Sequence, residues 1–302
     1  MGDYSVTVNP EVVVEHYPVP RAEEVFSELA GCDKFSTLDM SDAFLQIELE
    51  ESSKPILAIN TIKGMFIWNR LPLGLASSPG IFQRRMEVIL QDVPKTKPFV
   101  DDVMVAGRGL EHDENLNMAL SKMQLNGLRL KRSKCSIGQD KIKYLGFVID
   151  KDGLHNLPET IQAVSECPAP TDVQQLRAFL GFINQYSKFI PNLATIVAPL
   201  NNLLKSEVKW NWDLNCQNSF RKVKDAFLCS GVLVHYDDKL PLKLKCDASP
   251  YGVGAVLVHV FPNGEDRPIA FASRSLTAAE KGYAQFDREA LGIVFGVKRF
   301  HQ

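Results

Sequence analysis

Short runs in which apolar and polar residues alternate fill the first half of the chain, and longer stripes at helical spacing interrupt them. Phe44-Leu45-Gln46-Ile47-Glu48-Leu49 has the rhythm of a half-buried strand, and comparable runs predict strands near 34–39, 44–50, 55–60 and 65–70. Pro20 to Gly31 reads as a short helix, opened by proline and stopped by glycine. A loop of small residues, Leu71-Pro72-Leu73-Gly74-Leu75-Ala76-Ser77-Ser78-Pro79-Gly80, leads into a helix over about 79–91 with Phe82, Met86 and Ile89 on one face. A hairpin at 98–106 and a helix over about 111–126 come next. A further hairpin, Tyr144 to Leu154, carries a Lys151-Asp152-Gly153 turn.

The second half has its own punctuation. Pro168-Ala169-Pro170 marks a linker, and Thr171 with Gln174 predicts a capping box that opens a helix. Val173, Leu176, Leu180 and Ile183 on that helix read as core. Another helix, roughly 214–229, follows Trp210 and Trp212. The last eighty residues change character: strands are predicted at 242–247, 252–260 and 268–273, with Asn263-Gly264 turning between the last two. A helix from about 279 sets Tyr283, Phe286, Ala290, Ile293, Val297 and Phe300 on one apolar stripe.

One run breaks the pattern. Phe99-Val100-Asp101-Asp102-Val103-Met104-Val105 holds two adjacent carboxylates in an otherwise apolar strand. Burying a charge without a partner is costly, so a tight turn should carry both acids to solvent or onto a cation. Alone, the run describes either an acidic hairpin tip or a divalent-metal site. Asp39 ends another apolar stretch, Phe35-Ser36-Thr37-Leu38, and supplies a third carboxylate that only a folded sheet could bring to the pair. Oxygen-rich clusters of this kind suit Mg²⁺. Two such ions about 4 Å apart stabilise the attacking and leaving oxygens of an in-line phosphoryl transfer, so the three acids suggest nucleotidyl transfer. Asp247 at a strand end and Glu289 on a following helix form a weaker pair. It reads either as a second metal site or as a common helix glutamate beside an unrelated acid.

Composition narrows the setting. At 302 residues the chain exceeds the usual single domain, and 45% hydrophobic with 23% charged residues is ordinary for a globular protein. No apolar run reaches the ~18–20 residues a membrane span needs, and the N-terminus lacks a signal-peptide pattern. The six cysteines show no ligand spacing, which reads as reduced thiols and an intracellular protein, cytoplasmic or nuclear. A net charge of −2 conceals a basic segment. Residues 121–151 hold eight bases (Lys122, Arg129, Lys131, Arg132, Lys134, Lys141, Lys143, Lys151) against Asp140 and Asp150. Such an excess either binds phosphate backbones by counterion release or is a solvated face.

These motifs together carry a resemblance. Phe35-Ser36-Thr37-Leu38-Asp39, the Leu71-Pro72-Leu73-Gly74 loop running to Ser78-Pro79, and Phe99-Val100-Asp101-Asp102 resemble the reverse transcriptase of gypsy-class long-terminal-repeat retrotransposons. Arg129-Leu130-Lys131-Arg132-Ser133-Lys134-Cys135, Tyr144-Leu145-Gly146, and the stretch from Phe179-Leu180-Gly181 to Tyr186-Ser187-Lys188-Phe189-Ile190-Pro191 add to it. Asp247-Ala248-Ser249 with Glu289-Ala290-Leu291 looks like the start of the attached RNase H domain.

The resemblance implies an α+β fold: a right-hand polymerase palm and thumb with incomplete fingers over 1–150, connection helices over 151–210, and a truncated RNase H-like α/β domain over 211–302. Asp39, Asp101 and Asp102 would be the catalytic carboxylates holding two Mg²⁺ ions, and Asp247 and Glu289 two acids of a four-acid nuclease site. Phe44 would lie beneath the sugar and reject a 2′-hydroxyl, Leu73 and Gly74 would line the dNTP pocket, and Lys131 and Lys134 would meet the backbone of the nucleic-acid duplex. The Tyr144–Gly153 hairpin would touch the primer end. Partners would be a primed RNA or DNA template and deoxynucleoside triphosphates. Phe99 stands where the family usually has tyrosine, which implies reduced efficiency. The basic strands of the fingers and the remaining nuclease acids are not found, so strand cleavage is not expected. The rival reading is a retroelement-derived fragment that only binds nucleic acid, or a relic that does not fold stably.

Overall fold

The computed structural model describes residues 2–14 and 17–301, and divides into two compact units, Met1–Leu145 and Gly146–Gln302. Sequence alone places boundaries near 150 and 210. The division between the two compact units falls at 145/146, and the helices of 151–210 lie in the second.

In the first unit, helix α1 (Ala22–Phe26) precedes strand β1 (Lys34–Asp39). A small hairpin of β2 (Ile59–Thr61) and β3 (Gly64–Phe66) follows, then helix α2 (Ser78–Leu90). Strands β4 (Thr96–Phe99) and β5 (Asp102–Gly107), helix α3 (Leu110–Leu125), and strands β6 (Ser136–Gln139) and β7 (Lys141–Tyr144) complete it. The main sheet has the order β4-β5-β1-β6, and β1 pairs antiparallel with β5 from Lys34↔Gly107 to Asp39↔Asp102. Val103 and Val105 of β5 and Leu38 of β1 pack against Phe82 and Met86 of α2 and Leu116, Ala119 and Met123 of α3. Because side chains alternate along a strand, burying Leu38 and Val103 on that face turns Asp39 and Asp102 to the other.

The strands expected at 44–50 and 55–60 are largely absent. A 3-10 turn spans Ala43–Gln46, entered through a left-handed Asp42 (φ 50°). The Gln46 amide explains it: Nε2 donates to the carbonyls of Ser41 (2.5 Å) and Arg129 (3.0 Å), and Oε1 accepts from the Arg129 N–H (2.7 Å). An extended chain would pull that side chain away from both segments. Proline opens a second 3-10 turn, Pro55–Leu57.

Another buried tie copies the hydrogen-bond order of a hydrolase triad. His112 Nε2 lies 2.8 Å from Ser36 Oγ, and its Nδ1 lies 3.0 Å from Asp113 Oδ1. Ser36 and His112 are both 0% exposed, and Ser36 Oγ also accepts the Gly138 N–H. No substrate can reach this serine; the group fastens α3 and β6 to β1.

The second unit begins with a hairpin, β8 (Phe147–Asp150) and β9 (Gly153–Asn156), closed by the Lys151-Asp152 turn. Helices α4 (Pro158–Glu166), α5 (Val173–Gln185), α6 (Leu193–Ile196), α7 (Ala198–Asn202) and α8 (Leu214–Leu228) follow. Among them Phe147 packs on Tyr186 and Phe189, Tyr186 on Phe227, and Phe179 on Phe220. The capping box sits one residue later than expected. Asp172 accepts from the Gln175 N–H, and Gln175 Oε1 accepts from the Thr171 N–H, because the aspartate carboxylate takes the capping role from the Thr171 hydroxyl.

Strands β10 (Leu242–Ala248), β11 (Gly252–Val260) and β12 (Asp266–Ser275) form an antiparallel sheet in that order, and helix α9 (Gln285–Arg299) lies on it. The expected core stripe of α9 does not face the sheet: Tyr283, Phe286, Ile293 and Val297 are exposed, and Gly292 and Gly296 are buried. A Cβ on Gly296 would stand 2.9 Å from Cys246 Sγ and 3.1 Å from Ala255 Cβ. Helix and sheet meet through the face with no side chains, which hydrophobic periodicity does not reveal.

Gly153 is the tightest such point. Its φ is +143°, and a Cβ would lie 2.1 Å from the Leu233 carbonyl oxygen, beside the paired bonds that Leu154 and Leu233 exchange. Gly153→Ala is therefore expected to destabilise the protein by more than ~1 kcal/mol, measured as a lowered thermal midpoint, because backbone and not a flexible side chain blocks the methyl.

Candidate active site

Three acids meet at one end of the β1/β5 pair. Asp39 is the register partner of Asp102, and the Met40 N–H donates to the Asp101 carbonyl (2.9 Å). A two-residue turn, Val100-Asp101, links β4 to β5, and Val100 has a left-handed φ of 52°. Such a conformation is strained for a β-branched residue and needs support. Gln83 of α2 provides it: its Oε1 accepts the Val100 N–H (2.7 Å), and its buried Nε2 donates to the Pro98 carbonyl (3.0 Å) and Glu87. Sequence reasoning did not single out Gln83. The available signal was spacing: position 83 falls with Met86 and Leu90 on the buried side of the helix, whereas its polar neighbours Arg84 and Arg85 do not.

The cluster is negatively overloaded. Partial burial, then the charges of Asp101 and Asp39, push the Asp102 carboxyl above its ordinary range, and Lys134 opposes them. Lys134 reaches Asp39 because residues 129–134 fold back along the end of β1. Ser41 N–H donates to the Arg129 carbonyl (3.0 Å), and Lys131 N–H donates to the Asp39 carbonyl (2.9 Å). A 3-10 turn over Arg132–Lys134 then sets the Lys134 ammonium 3.1 Å from Asp39 Oδ2. Lys134, expected on a duplex backbone, thus holds an acid of the cluster. Lys131 stays exposed.

Tyr144 completes the surroundings. Burial and the nearby Asp102 and Asp101 raise its phenol, keeping the proton on, and its hydroxyl is buried with no hydrogen-bond partner. Among the described residues no three acidic, histidine or cysteine side chains are gathered closely enough to hold an ion as they stand. The donor set still fits a hydrated divalent cation. Three carboxylates converge with one ammonium as counter-charge, and an orphaned hydroxyl donor lies within their field. Mg²⁺ takes one or two carboxylates and keeps several waters.

The other expected positions of the polymerase site also fall in the first unit. Phe44 is half-buried, edge-on to Phe82 with ring centroids 5.6 Å apart. Leu73 is exposed and Gly74 has φ +95°; a Cβ there would meet the Gly2 carbonyl at 2.5 Å. Asn9 straddles this loop, donating to the Gly74 carbonyl (3.0 Å) and accepting the Ala76 N–H (2.9 Å).

In the second unit Asp247 Oδ2 accepts from Asn192 Nδ2 (2.9 Å), and Glu289 Oε1 accepts from Gln285 Nε2 (3.2 Å). Cys246 faces α9, so strand alternation turns Asp247 away from the helix that carries Glu289.

The antiparallel sheet thus carries two acids at the end of one strand pair and a third in the adjoining hairpin turn. Residues 5–149 match the family described as reverse transcriptase (RNA-dependent DNA polymerase), and residues 212–302 match the RNase H-like domain found in reverse transcriptase. The chain belongs to the reverse transcriptase family. In particular, it is 32% identical over 304 residues to the retrovirus-related Pol polyprotein from transposon opus of Drosophila melanogaster, covering 96% of this chain and 30% of that protein. It is 28% identical to the transposon Tf2-3 polyprotein of Schizosaccharomyces pombe, covering 97% and 22%. The chain thus spans less than a third of these relatives' length. Foamy viral protease-reverse transcriptase in complex with dsDNA shares the fold, with a TM-score of 0.87 at 23% identity over 97% of this chain and 61% of that one. The same enzyme in complex with an RNA/DNA hybrid gives 0.83 at 22% identity over 98% and 40%. No helix among the described residues is long and apolar enough to cross a membrane.

The raised Asp102 carboxyl has a consequence for stability. A raised acid favours the folded state below its unfolded value near 3.8, and that contribution is lost as pH rises through the folded value. At neutral pH Asp102→Asn should therefore stabilise cation-free protein by less than ~1 kcal/mol, read as a raised thermal midpoint, because the site is half-open and screened. The gain should vanish at acidic pH.

Proposed function

We propose that this chain carries the polymerase centre of a retrotransposon reverse transcriptase, extending a primer on an RNA or DNA template from deoxynucleoside triphosphates. The convergence of Asp39, Asp101 and Asp102 at the end of β1 and β5 is the observation that supports this reading most. Asp39 and the Asp101-Asp102 turn would hold two Mg²⁺ ions. Bound there, the ions would supply charge stabilisation at the attacking 3′-hydroxyl and the leaving pyrophosphate. Gln83 holds the turn that aims Asp101, and Phe44, braced by Phe82, would exclude a 2′-hydroxyl by bulk. Leu73 and Gly74 would form the floor of the nucleotide pocket, in a loop whose shape Asn9 maintains. Lys131, exposed on the basic segment, would contact the duplex backbone.

Nuclease activity is not part of the proposal. Asp247 is engaged by Asn192 and Glu289 by Gln285, an arrangement that supports a structural role for both.

Purified protein on a primed homopolymer RNA template should incorporate deoxynucleotides only with Mg²⁺ or Mn²⁺ present. Asp101→Asn should lower the rate by at least ~100-fold, the loss expected when metal ligation is impaired. Duplex binding without any incorporation by the unaltered protein would refute the enzymatic reading in favour of a nucleic-acid-binding module.

A further inference from the structure

We propose that Lys134 is the resident counter-cation of the acidic centre, neutralising Asp39 while no metal is bound and yielding that place to a divalent ion. The proposal rests on the polymerase reading above and adds a device to it. The Lys134 ammonium stands 3.1 Å from Asp39 Oδ2, on a side chain 57% exposed, whereas Asp39 is only 19% exposed. Lysine therefore approaches the acid from solvent on a flexible stem, so it can leave without moving the backbone.

The placement follows from the fold of the basic segment. Lys131 N–H is tied to the Asp39 carbonyl, and the turn that follows returns the chain so that Lys134 reaches the carboxylate of the same residue. Arg132 and Lys131 belong to the same segment, and the ion pair to Asp39 is made by Lys134. Asp101 and Asp102 also lie within the field of that ammonium. Without it the three carboxylates would face one another with only water between them. A metal ion on Asp39 would in turn meet an ammonium a few ångströms away, and two cations cannot share one carboxylate without repelling. Occupancy by lysine and by metal are thus linked, each weakening the other.

Full-length protein would be titrated with Mn²⁺ alone while the resonance of free aquo-Mn²⁺ is followed, and melted with and without Mg²⁺. Lys134→Ala should bind Mn²⁺ about two- to fivefold tighter, the scale of one exposed ion pair. Its cation-free melting point should lie below that of the unaltered protein, with the gap closing in saturating Mg²⁺. Lys134→Arg should restore the original Mn²⁺ affinity, and Lys131→Ala should leave it unchanged. Unchanged Mn²⁺ affinity in Lys134→Ala, with weaker and less salt-dependent duplex binding, would overturn the proposal and return Lys134 to the phosphate backbone. If that protein still extends primers, the polymerase reading survives. Absence of Mn²⁺ binding by every variant would overturn both.

Discussion

The antiparallel pairing of β1 with β5 is the constraint on which the first unit depends. It sets Asp39 against Asp102, two like charges where a sheet would gain most from an attractive pair. The register cannot slip to relieve them. Moving β1 by a residue would turn Leu38 out of a fully buried core and bring Thr37 and Asp39 toward it. Apolar burial on one face therefore maintains electrostatic tension on the other, and the Lys134 ammonium answers it at Asp39.

Every peculiarity around the acids answers that tension or holds it in place. The left-handed Val100 would relax if Gln83 did not fasten its N–H, so a helix on the core side governs a turn on the acidic side. Lys134 approaches as a mobile charge, while Tyr144 stands as a fixed, neutral donor whose burial keeps it protonated. The overall charge of −2 thus combines an acidic centre with a basic segment folded against it.

Much of this was legible in the sequence, because the features concerned are local. The Asp101-Asp102 pair in an apolar run can only be a turn, and Asp39 ends its strand as its pattern says. The failures share a cause: a distant residue decided the local structure. Alternation at 44–49 gave way to a turn because Gln46 reaches Arg129, far along the chain. The α9 stripe pointed outward because Gly292 and Gly296 allow closer contact with β10 than any side chain could. The Lys134–Asp39 ion pair was equally out of reach, since no count of charges shows which acid a lysine will meet.

The two units hold an aspartate in different ways. Asp247 accepts from Asn192, whose φ of 50° and close fit against Gly254 leave it little freedom; a Cβ on that glycine would stand 1.9 Å from the amide oxygen. A neutral donor on a constrained residue thus holds this solvent-exposed acid without cancelling its charge. Asp39 is instead held by an ammonium on a long exposed stem, a partner that matches a metal in charge and can depart. If catalytic carboxylates must release one cation to accept another, the ammonium at Asp39 is the partner suited to that exchange.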